Sequence, residues 1–154
     1  MENAPLEIKK VTVQVKKGLE NLFSALQDAG YEKWFHPHPL NGDEAARISV
    51  HKGEDLYYAM VEGDKVLAYG MLRGWDEGFP IPSLGLAVHP EVQGTGLGRV
   101  FMYFLHAAAR RKGARMIKLK VHPNNLTAIE LYKALGYKFA DRESDQLVGI
   151  AVLE

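Results

Sequence analysis

The stretch EVQGTGLGRV, from Glu91 to Val100, decides how the rest of the sequence is interpreted. Glycine stands at alternate positions in it, at Gly94, Gly96 and Gly98, after an apolar run and before an amphipathic one. Because glycine loses more conformational freedom on folding than any other residue, this clustering indicates that the backbone itself is needed there. If a strand turns into a helix at this point, the unpaired N–H groups and the dipole of the helix start form an anion site. The alternative is that the glycines only allow a tight turn.

The glycine spacing disfavours the two most familiar phosphate-binding motifs. A Walker loop requires G-x-x-x-x-G-K-[ST], and no Lys-Ser or Lys-Thr pair follows these glycines. A dinucleotide fingerprint requires G-x-G-x-x-G and an acidic residue about 20 positions later. The sequence has G-x-G-x-G instead, and the downstream segment KLKVHPNN carries no carboxylate.

Composition limits the class of protein. The length of 154 residues predicts one domain, over residues 1–154, with a core of useful size. The formal net charge is zero, so neither nucleic-acid binding nor membrane-surface binding is favoured. The sequence contains no cysteine, which excludes disulfides, a thiol nucleophile and a cysteine zinc site, and fits the reducing cytoplasm as the expected location. No apolar run approaches the roughly 20 residues that span a bilayer, and no signal peptide is recognisable.

Hydrophobic periodicity predicts a mixed α/β (α+β) protein built around one sheet, with the order β-α-α-β-β-β-α-β-α-β-β. The predicted strands are Leu6–Val15, Asp55–Val61, Lys65–Leu72, Ile81–Val88, Met116–Val121, Tyr137–Asp141 and Leu147–Leu153. The predicted helices are Gly18–Ala29, Asp43–Val50 behind an Asn41 cap, one from the glycine stretch to Gly113, and one that ends at Gly136. Gly85 is expected to mark a bulge, and Asn124 or Asn125 to cap the last helix, with a further capping box at Thr127-x-x-Glu130.

The segment Gln93–Gly98 resembles the [Q/R]-x-x-G-x-[G/A] signature of the GNAT superfamily of N-acetyltransferases. A second block, VHPNNLTAIELYKALGYKFA, is similar to the family segment N-x-x-A-x-x-x-Y-x-x-x-G-[F/Y]. The positions that match are Asn125, Ala128, Tyr132, Gly136 and Tyr137. Both blocks occur in the family's order, and the element order matches along essentially the whole chain. The resemblance therefore implies the GNAT-like acyl-CoA N-acyltransferase fold.

The resemblance also implies where the co-substrate acetyl-CoA lies. In the family it occupies a gap between two parallel strands, which correspond to Ile81–Val88 and Met116–Val121. Backbone groups of Leu86, Ala87 and Val88 would pair with the acetyl carbonyl and the pantetheine amides. The expected pyrophosphate site comprises Gln93, Gly94, Thr95, Gly96, Leu97, Gly98 and Arg99. Asn125 would cap its helix, contact the cofactor, or do both. The basic cluster Arg110–Lys112 fits a solvated helix end better than a phosphate contact, and no metal is implied.

Tyr132 is the implied general acid, which would protonate the departing CoA thiolate. The general base is less well defined. Some relatives carry a glutamate on the fourth strand, but the corresponding segment here, IPSLGLAV, has no carboxylate and offers only Ser83. Asp76 and Glu77 are the first candidates, since their loop leads into that strand. Three alternatives for the base are a group that acts through ordered water, His36, and His38. Asp76 and Glu77 could also be simple turn residues on a solvated loop. The pair His36 and His38 lacks a third ligand and does not favour a metal site.

The acceptor wall is expected to include Trp34, Phe35 and Trp75, with Asp76 and Glu77 attracting an ammonium group, which would suit a cationic amine or an amino sugar. Trp34 and Phe35 could equally pack under the first helix. The function predicted is an N-acetyltransferase that moves acetyl from acetyl-CoA directly to a primary amine of a small molecule or peptide. The alternatives are a catalytically idle acyl-CoA-binding module and an O-acyltransferase. In this family the last strands are candidate homodimer contacts.

Overall fold

The computed structural model describes residues 4–154, and the predicted order of helices and strands is confirmed within them. The strands are β1 Leu6–Lys10, β2 Leu56–Glu62, β3 Lys65–Arg73, β4 Ser83–Val88, β5 Met116–Val121, β6 Lys138–Glu143 and β7 Gln146–Val152. The helices are α1 Lys16–Asp28, α2 Gly42–Ser49, α3 Leu97–Arg111 and α4 Leu126–Ala134. None of the helices in this part of the chain is both long and apolar enough to cross a membrane.

All strands join one sheet in the order β1-β2-β3-β4-β5-β7-β6. The strands from β1 to β4 form an antiparallel meander, and β5, β7 and β6 form a second antiparallel group. The two groups meet where β4 and β5 run parallel, and only Ser83 and Lys118 lie opposite each other there. The Lys118 N–H donates to the Pro82 carbonyl at 3.0 Å. Beyond this joint the two strands separate, which leaves a gap in the middle of the sheet.

Helices cover both faces of the sheet, because side chains alternate between the faces along each strand. On β3, Tyr69 and Met71 belong to the core cluster under α1 and α2, whereas Ala68 and Leu72 belong to the cluster under α3. Gly70 lies between them, and a Cβ there would come within 2.7 Å of the Phe101 ring. The missing side chain lets α3 pack directly on the centre of the sheet, which fixes the position of the helix start.

Three details differ from the expectations. The first strand ends at Lys10, because the chain leaves the sheet edge after the Val11 N–H donates to Tyr57 and turns through a short 3-10 helix, Val13–Val15. Asn125 caps α4 and Thr127 lies inside it, so the capping box does not form. The β3–β4 register is continuous past Gly85, where a Cβ would approach Met71 to 2.9 Å. That glycine therefore answers a steric need, and no bulge is present in this strand pair.

Two histidines are buried in the core and bonded to tyrosine hydroxyls. The Nε2 atom of His38 lies 2.9 Å from the hydroxyl of Tyr69, and Nε2 of His106 lies 2.7 Å from that of Tyr137. Burial lowers the pKa of both imidazoles below the ordinary histidine value. Both side chains are therefore neutral in the folded protein near pH 7, and their role is structural, which for His38 removes one candidate base.

These histidines predict a loss of stability in mild acid. Their pKa is depressed on folding, so below the unfolded value of about 6.5 the unfolded chain binds more protons than the folded one, and stability falls as the pH falls. Thermal unfolding of wild type should give a lower Tm at pH 5.5 than at pH 7.5. His106→Gln should reduce this pH dependence, because one of the two buried imidazoles is removed. His36→Gln, at an exposed site, should leave it unchanged; an equal effect of both variants would contradict the assignment.

Candidate active site

A cavity of about 340 Å³ lies over the joint between β4 and β5. Its floor comprises residues 83–86 of β4 together with Lys118 and Lys120 of β5. Residues of α4 and of the loops before α2 and β4 form its walls. Arg73, the last residue of β3, extends the floor beside Ser83. The wall residues used below are Tyr31, Trp34, Phe35, His36, Glu77, Phe79, Asn125 and Tyr132. The cavity thus brings three wall segments, the loops before α2 and β4 and the first turns of α4, together at the gap between the diverging strands.

The edge of β4 that faces the gap carries backbone groups with no partner strand beyond Ser83. The Pro82 carbonyl points to β5 and the His89 N–H points to the Leu67 carbonyl on β3, so even-numbered residues between them face the gap and odd-numbered ones face β3. The N–H groups of Leu86 and Val88 are therefore available to a ligand in the gap. Ala87 directs its backbone groups to β3, so of the three expected cofactor contacts it is the one that cannot pair with a ligand there.

The glycine stretch forms an uncapped helix start. Gly94 and Gly96 have φ values of 77° and 92°, which side-chain-bearing residues rarely adopt, and Gly96 is the N-cap of α3 with no side-chain capping bond. No acidic residue lies in the first turn. The first N–H groups of α3 are left free and electropositive, which is the arrangement that binds phosphate groups.

Two side chains of the same stretch hold the loop in place. Gln93 donates from Nε2 to the Val88 carbonyl at 3.0 Å, and the Thr95 hydroxyl donates to the Val92 carbonyl. The loop is thereby tied to the end of β4, so the helix start and the open strand edge keep a fixed relation. Arg99 is exposed in the first turn of α3.

Tyr132 lies on α4 with its ring against Tyr137, at 5.8 Å between centroids, and lines the cavity. Burial, with a smaller contribution from the nearby Tyr31 hydroxyl, raises the pKa of Tyr132 above the ordinary tyrosine value. The phenol is therefore protonated at neutral pH. Among residues 4–154 its hydroxyl has no hydrogen-bond partner within normal geometry, so it can donate to a ligand. Asn125, about two turns earlier at the N-cap of α4, accepts the Ala128 N–H at 3.4 Å and lines the same cavity.

The two acids expected to act as base point in different directions. Glu77 lines the cavity. Asp76 instead accepts hydrogen bonds from the backbone N–H of Glu54, from that of Asp55 at 3.3 Å, and from His51 at 2.7 Å. Neighbouring side chains diverge in this way because residues 75–77 form a 3-10 turn, in which successive side chains are rotated by about 120°. Asp76 thus has a structural use, which leaves Glu77 as the carboxylate available to an acceptor.

The expected aromatic wall is formed in part. Phe35 and Trp34 line the cavity; Phe35 also packs on His38, and the rings of Trp34 and His122 form a T-shaped pair with 5.4 Å between their centroids. Trp75 lies outside the cavity, beneath the Lys112 ammonium at 5.0 Å from its ring centroid. Phe79, which the sequence did not single out, lines the cavity in its place.

Four further residues line the cavity that the sequence analysis did not propose as site residues. They are Tyr31, Arg73, Ser83 and Lys118. Polar residues at alternate positions of β5, at Lys118 and Lys120, were a signal that one face of this strand is not covered by core.

Asp76 provides a test of the turn that carries Glu77. The hydrogen bond from His51, followed by those from the two backbone N–H groups, lowers the pKa of Asp76 below its ordinary value. A carboxylate of this kind stabilises the fold above its unfolded pKa, near 3.9, and that contribution disappears as the pH falls through the folded pKa. Asp76→Asn should therefore lower Tm at pH 7, and the difference from wild type should shrink below pH 4. Glu77→Gln is the matched control, with Tm within about a degree of wild type. An equal fall of Tm in both variants would contradict the structural role of the Asp76 hydrogen bonds.

Comparison with known proteins agrees with this geometry. The sequence profile of the Acetyltransferase (GNAT) family matches residues 19–137. The chain belongs to the GNAT acetyltransferase family. The profile ends at Tyr137 and so includes the glycine stretch, the open edge of β4 and Tyr132, which are the parts of the site described above.

Solved structures of this family have the same fold. The GNAT domain of S. lividans PAT superposes with a TM-score of 0.82 at 19% identity, over 99% of this chain and 96% of that one. PaiA N-acetyltransferase from Thermoplasma acidophilum, solved in complex with coenzyme A, gives 0.77 at 16% identity, over 96% and 99%. Ribosomal-protein-S18-alanine N-acetyltransferase from Escherichia coli gives 0.74 at 19% identity, over 97% and 95%. At these identities the likeness concerns the fold.

Proposed function

We propose that this GNAT protein transfers the acetyl group of acetyl-CoA directly to a primary amine. The observation that carries the proposal is the proximity of three features: the uncapped start of α3 lies against Leu86 and Val88 on the open N–H edge of β4, and Leu86 lines the same cavity as Tyr132, whose hydroxyl has no partner among residues 4–154. A diphosphate, a chain of amides and a thiolate are the groups that would need these three features, and they occur in that order in CoA thioesters.

The backbone would bind the co-substrate. N–H groups at the start of α3 and the loop Gln93–Arg99 would hold the diphosphate. The β4 edge would pair with the pantetheine amides as a neighbouring strand would. A gap-facing N–H near Leu86 would also donate to the thioester oxygen, where negative charge develops when the amine attacks. These donors belong to rigid elements, so they need little rearrangement during the reaction.

Tyr132 would act as general acid. The neutral amine attacks the thioester carbon, the carbon–sulfur bond breaks, and the departing thiolate takes the proton of the phenol. Because burial raises the pKa of Tyr132, the phenol keeps this proton up to at least the ordinary tyrosine range near pH 10. The phenolate left behind regains a proton from solvent or from the acetylated ammonium product of attack.

The base that deprotonates the acceptor ammonium would be Glu77, directly or through a water molecule, because it is a carboxylate on the cavity wall. His36 is the second candidate. It lines the cavity, and its Nε2 lies 3.0 Å from the Lys33 carbonyl, an arrangement that leaves Nδ1 free to accept a proton. Asp76 and His38 are not carried forward, since their polar atoms are already used within the fold.

The experiment that tests the function is acetyl-CoA-dependent thiol release with a panel of primary amines, followed by mass spectrometry of the products. A product heavier by one acetyl group, formed in proportion to released CoA, is the expected result. If the protein binds CoA but transfers acetyl to no amine, the idle acyl-CoA-binding module is the better description. A product acetylated on oxygen would favour the O-acyltransferase instead.

Replacing Tyr132 tests its role. Tyr132→Phe should lower kcat by about 10²- to 10⁴-fold, the range typical of a lost general acid, and leave the Kd for CoA within about twofold. The buried phenol should also produce no alkaline fall in kcat below about pH 10 in wild type. Tyr137→Phe, in the ring that packs on Tyr132, is the matched control and should retain most of kcat. Equal kcat in wild type and Tyr132→Phe would remove the assignment.

A further inference from the structure

Three polar side chains form a row on the floor of the acceptor side of the cavity. Arg73 lies directly opposite Ser83 across β3 and β4, and Ser83 lies directly opposite Lys118 across β4 and β5. Residues opposite each other in neighbouring strands project to the same face of a sheet, and all three line the cavity. A guanidinium, a hydroxyl and an ammonium group therefore stand side by side on one surface, hereafter the Arg73–Ser83–Lys118 row.

The two cations of this row have no carboxylate partner within residues 4–154. Arg73 donates to a backbone carbonyl, that of Pro37, at 3.0 Å, and Lys118 forms no ion pair. Both side chains are only partly exposed. Their neighbour Lys120, by contrast, is bound by Glu143 at 2.6 Å. The row therefore presents two positive charges that a negative group in the cavity would neutralise, and burial of a charge is less costly when it is paired.

The spacing of the row fits one oxyanion. Neighbouring strands lie about 4.8 Å apart, so Arg73 and Lys118 stand roughly 10 Å apart at the backbone with Ser83 midway. Long side chains at that separation can reach the same group from both sides, and the serine hydroxyl can donate from below. A carboxylate or phosphoryl group accepts bonds in several directions at once and matches such a set of donors.

The row also lies at a defined distance from the transfer point. Gly85 and Leu86, where the gap in the sheet begins, are two and three residues further along β4, or about 7 to 10 Å away. No side chain at Gly85 obstructs the path between them on this face. We propose that the acceptor is a primary amine that carries an oxyanion, a carboxylate or phosphoryl group, about 7 to 10 Å from its nitrogen, and that the Arg73–Ser83–Lys118 row binds it.

This inference rests on the proposed function and narrows its substrate class. From the sequence, Asp76 and Glu77 were expected to attract an ammonium group, which suited a cationic amine or an amino sugar. Asp76 is turned away, and Glu77 is the one carboxylate among the cavity-lining residues described, against Arg73 and Lys118, which have no carboxylate partner there. A purely cationic acceptor would meet net repulsion in this cavity. The same cations disfavour the ammonium form of the acceptor and so assist its deprotonation, which is useful where β4 offers no carboxylate base.

Matched acceptors test the inference. We would compare 6-aminohexanoate with 6-aminohexanamide, which differ only in the charge of the distal group, and add 5-aminopentylphosphonate as the phosphoryl arm. Wild type should favour the anionic acceptors by about 10- to 100-fold in kcat/KM, the range for a charged hydrogen-bonded contact. The relative rates of the carboxylate and the phosphonate then identify which oxyanion the row prefers.

Variants locate the effect. Lys118→Gln should reduce the preference to less than about threefold, chiefly by raising KM for the anionic acceptors, and Lys118→Arg should restore most of it. Lys138→Gln, an exposed lysine on β6, removes the same charge away from the cavity and should change nothing. Thermal unfolding of each variant checks that the fold is kept. A preference that survives Lys118→Gln would overturn the inference.

Binding measured by calorimetry in the presence of CoA separates this inference from the proposed function. Tighter binding of 6-aminohexanoate than of its amide, without acetyl transfer to any amine, would support the row and overturn the proposed function. Transfer to the amide as fast as to the acid would overturn the row and leave the proposed function intact. Neither binding nor transfer would overturn both.

Discussion

The site depends on a single pair of residues in the sheet. Ser83 and Lys118 are the only residues that face each other across β4 and β5, and every other strand junction among the residues described is an extended antiparallel ladder. If the parallel pair continued, the N–H groups of Leu86 and Val88 would be consumed by β5. Because the pairing stops after one position, a sheet whose neighbouring strands are otherwise hydrogen-bonded along their length has a short unpaired edge in its interior. The cavity and the path for a ligand follow from this interruption, and the row of donors on the floor stands at the last paired position before it.

The other half of the geometry comes from how α3 is placed. The helix packs on the bare backbone at Gly70 through Phe101, its start is tied back to β4 through Gln93, and Thr95 braces the loop by donating to Val92. Gly94 and Gly96 adopt backbone conformations that admit the sharp change of direction between strand and helix. Packing in the core thus determines where the free N–H groups point. The sequence left two roles open for the glycines, a tight turn or a backbone anion site, and the structure shows that they form both the turn and the uncapped helix start.

Local patterns in the sequence were sufficient for the order of the elements and for the segments that carry the site. The glycine stretch, Asn125 and Tyr132 could be named because each lies in a short motif with its own spacing. The divergence of Asp76 from Glu77 could not be read, because it depends on hydrogen bonds to His51 and to backbone that lies more than 20 positions away.

The other site features that could not be predicted from the sequence also depend on long-range contacts. Arg73 and Lys118 are 45 positions apart, and only the strand register brings them to either side of Ser83. Gly85 was expected to create a bulge, whereas it prevents a clash with Met71 on the neighbouring strand. In each case the deciding contact joins residues that no local pattern connects, so the sequence identifies the segments and the tertiary structure determines what each residue does.

The anchoring of the turn at residues 75–77 has a consequence for selectivity. Asp76 reaches across to the segment before β2, while Asp55 on that segment accepts N–H groups of Gly74 and Asp76 in return, at 2.9 and 3.1 Å. These reciprocal hydrogen bonds hold the turn rigid, so its shape is fixed before a ligand binds. A wall that does not adjust to its ligand favours molecules whose shape already matches it, so we expect this side of the cavity to select ligands by steric exclusion.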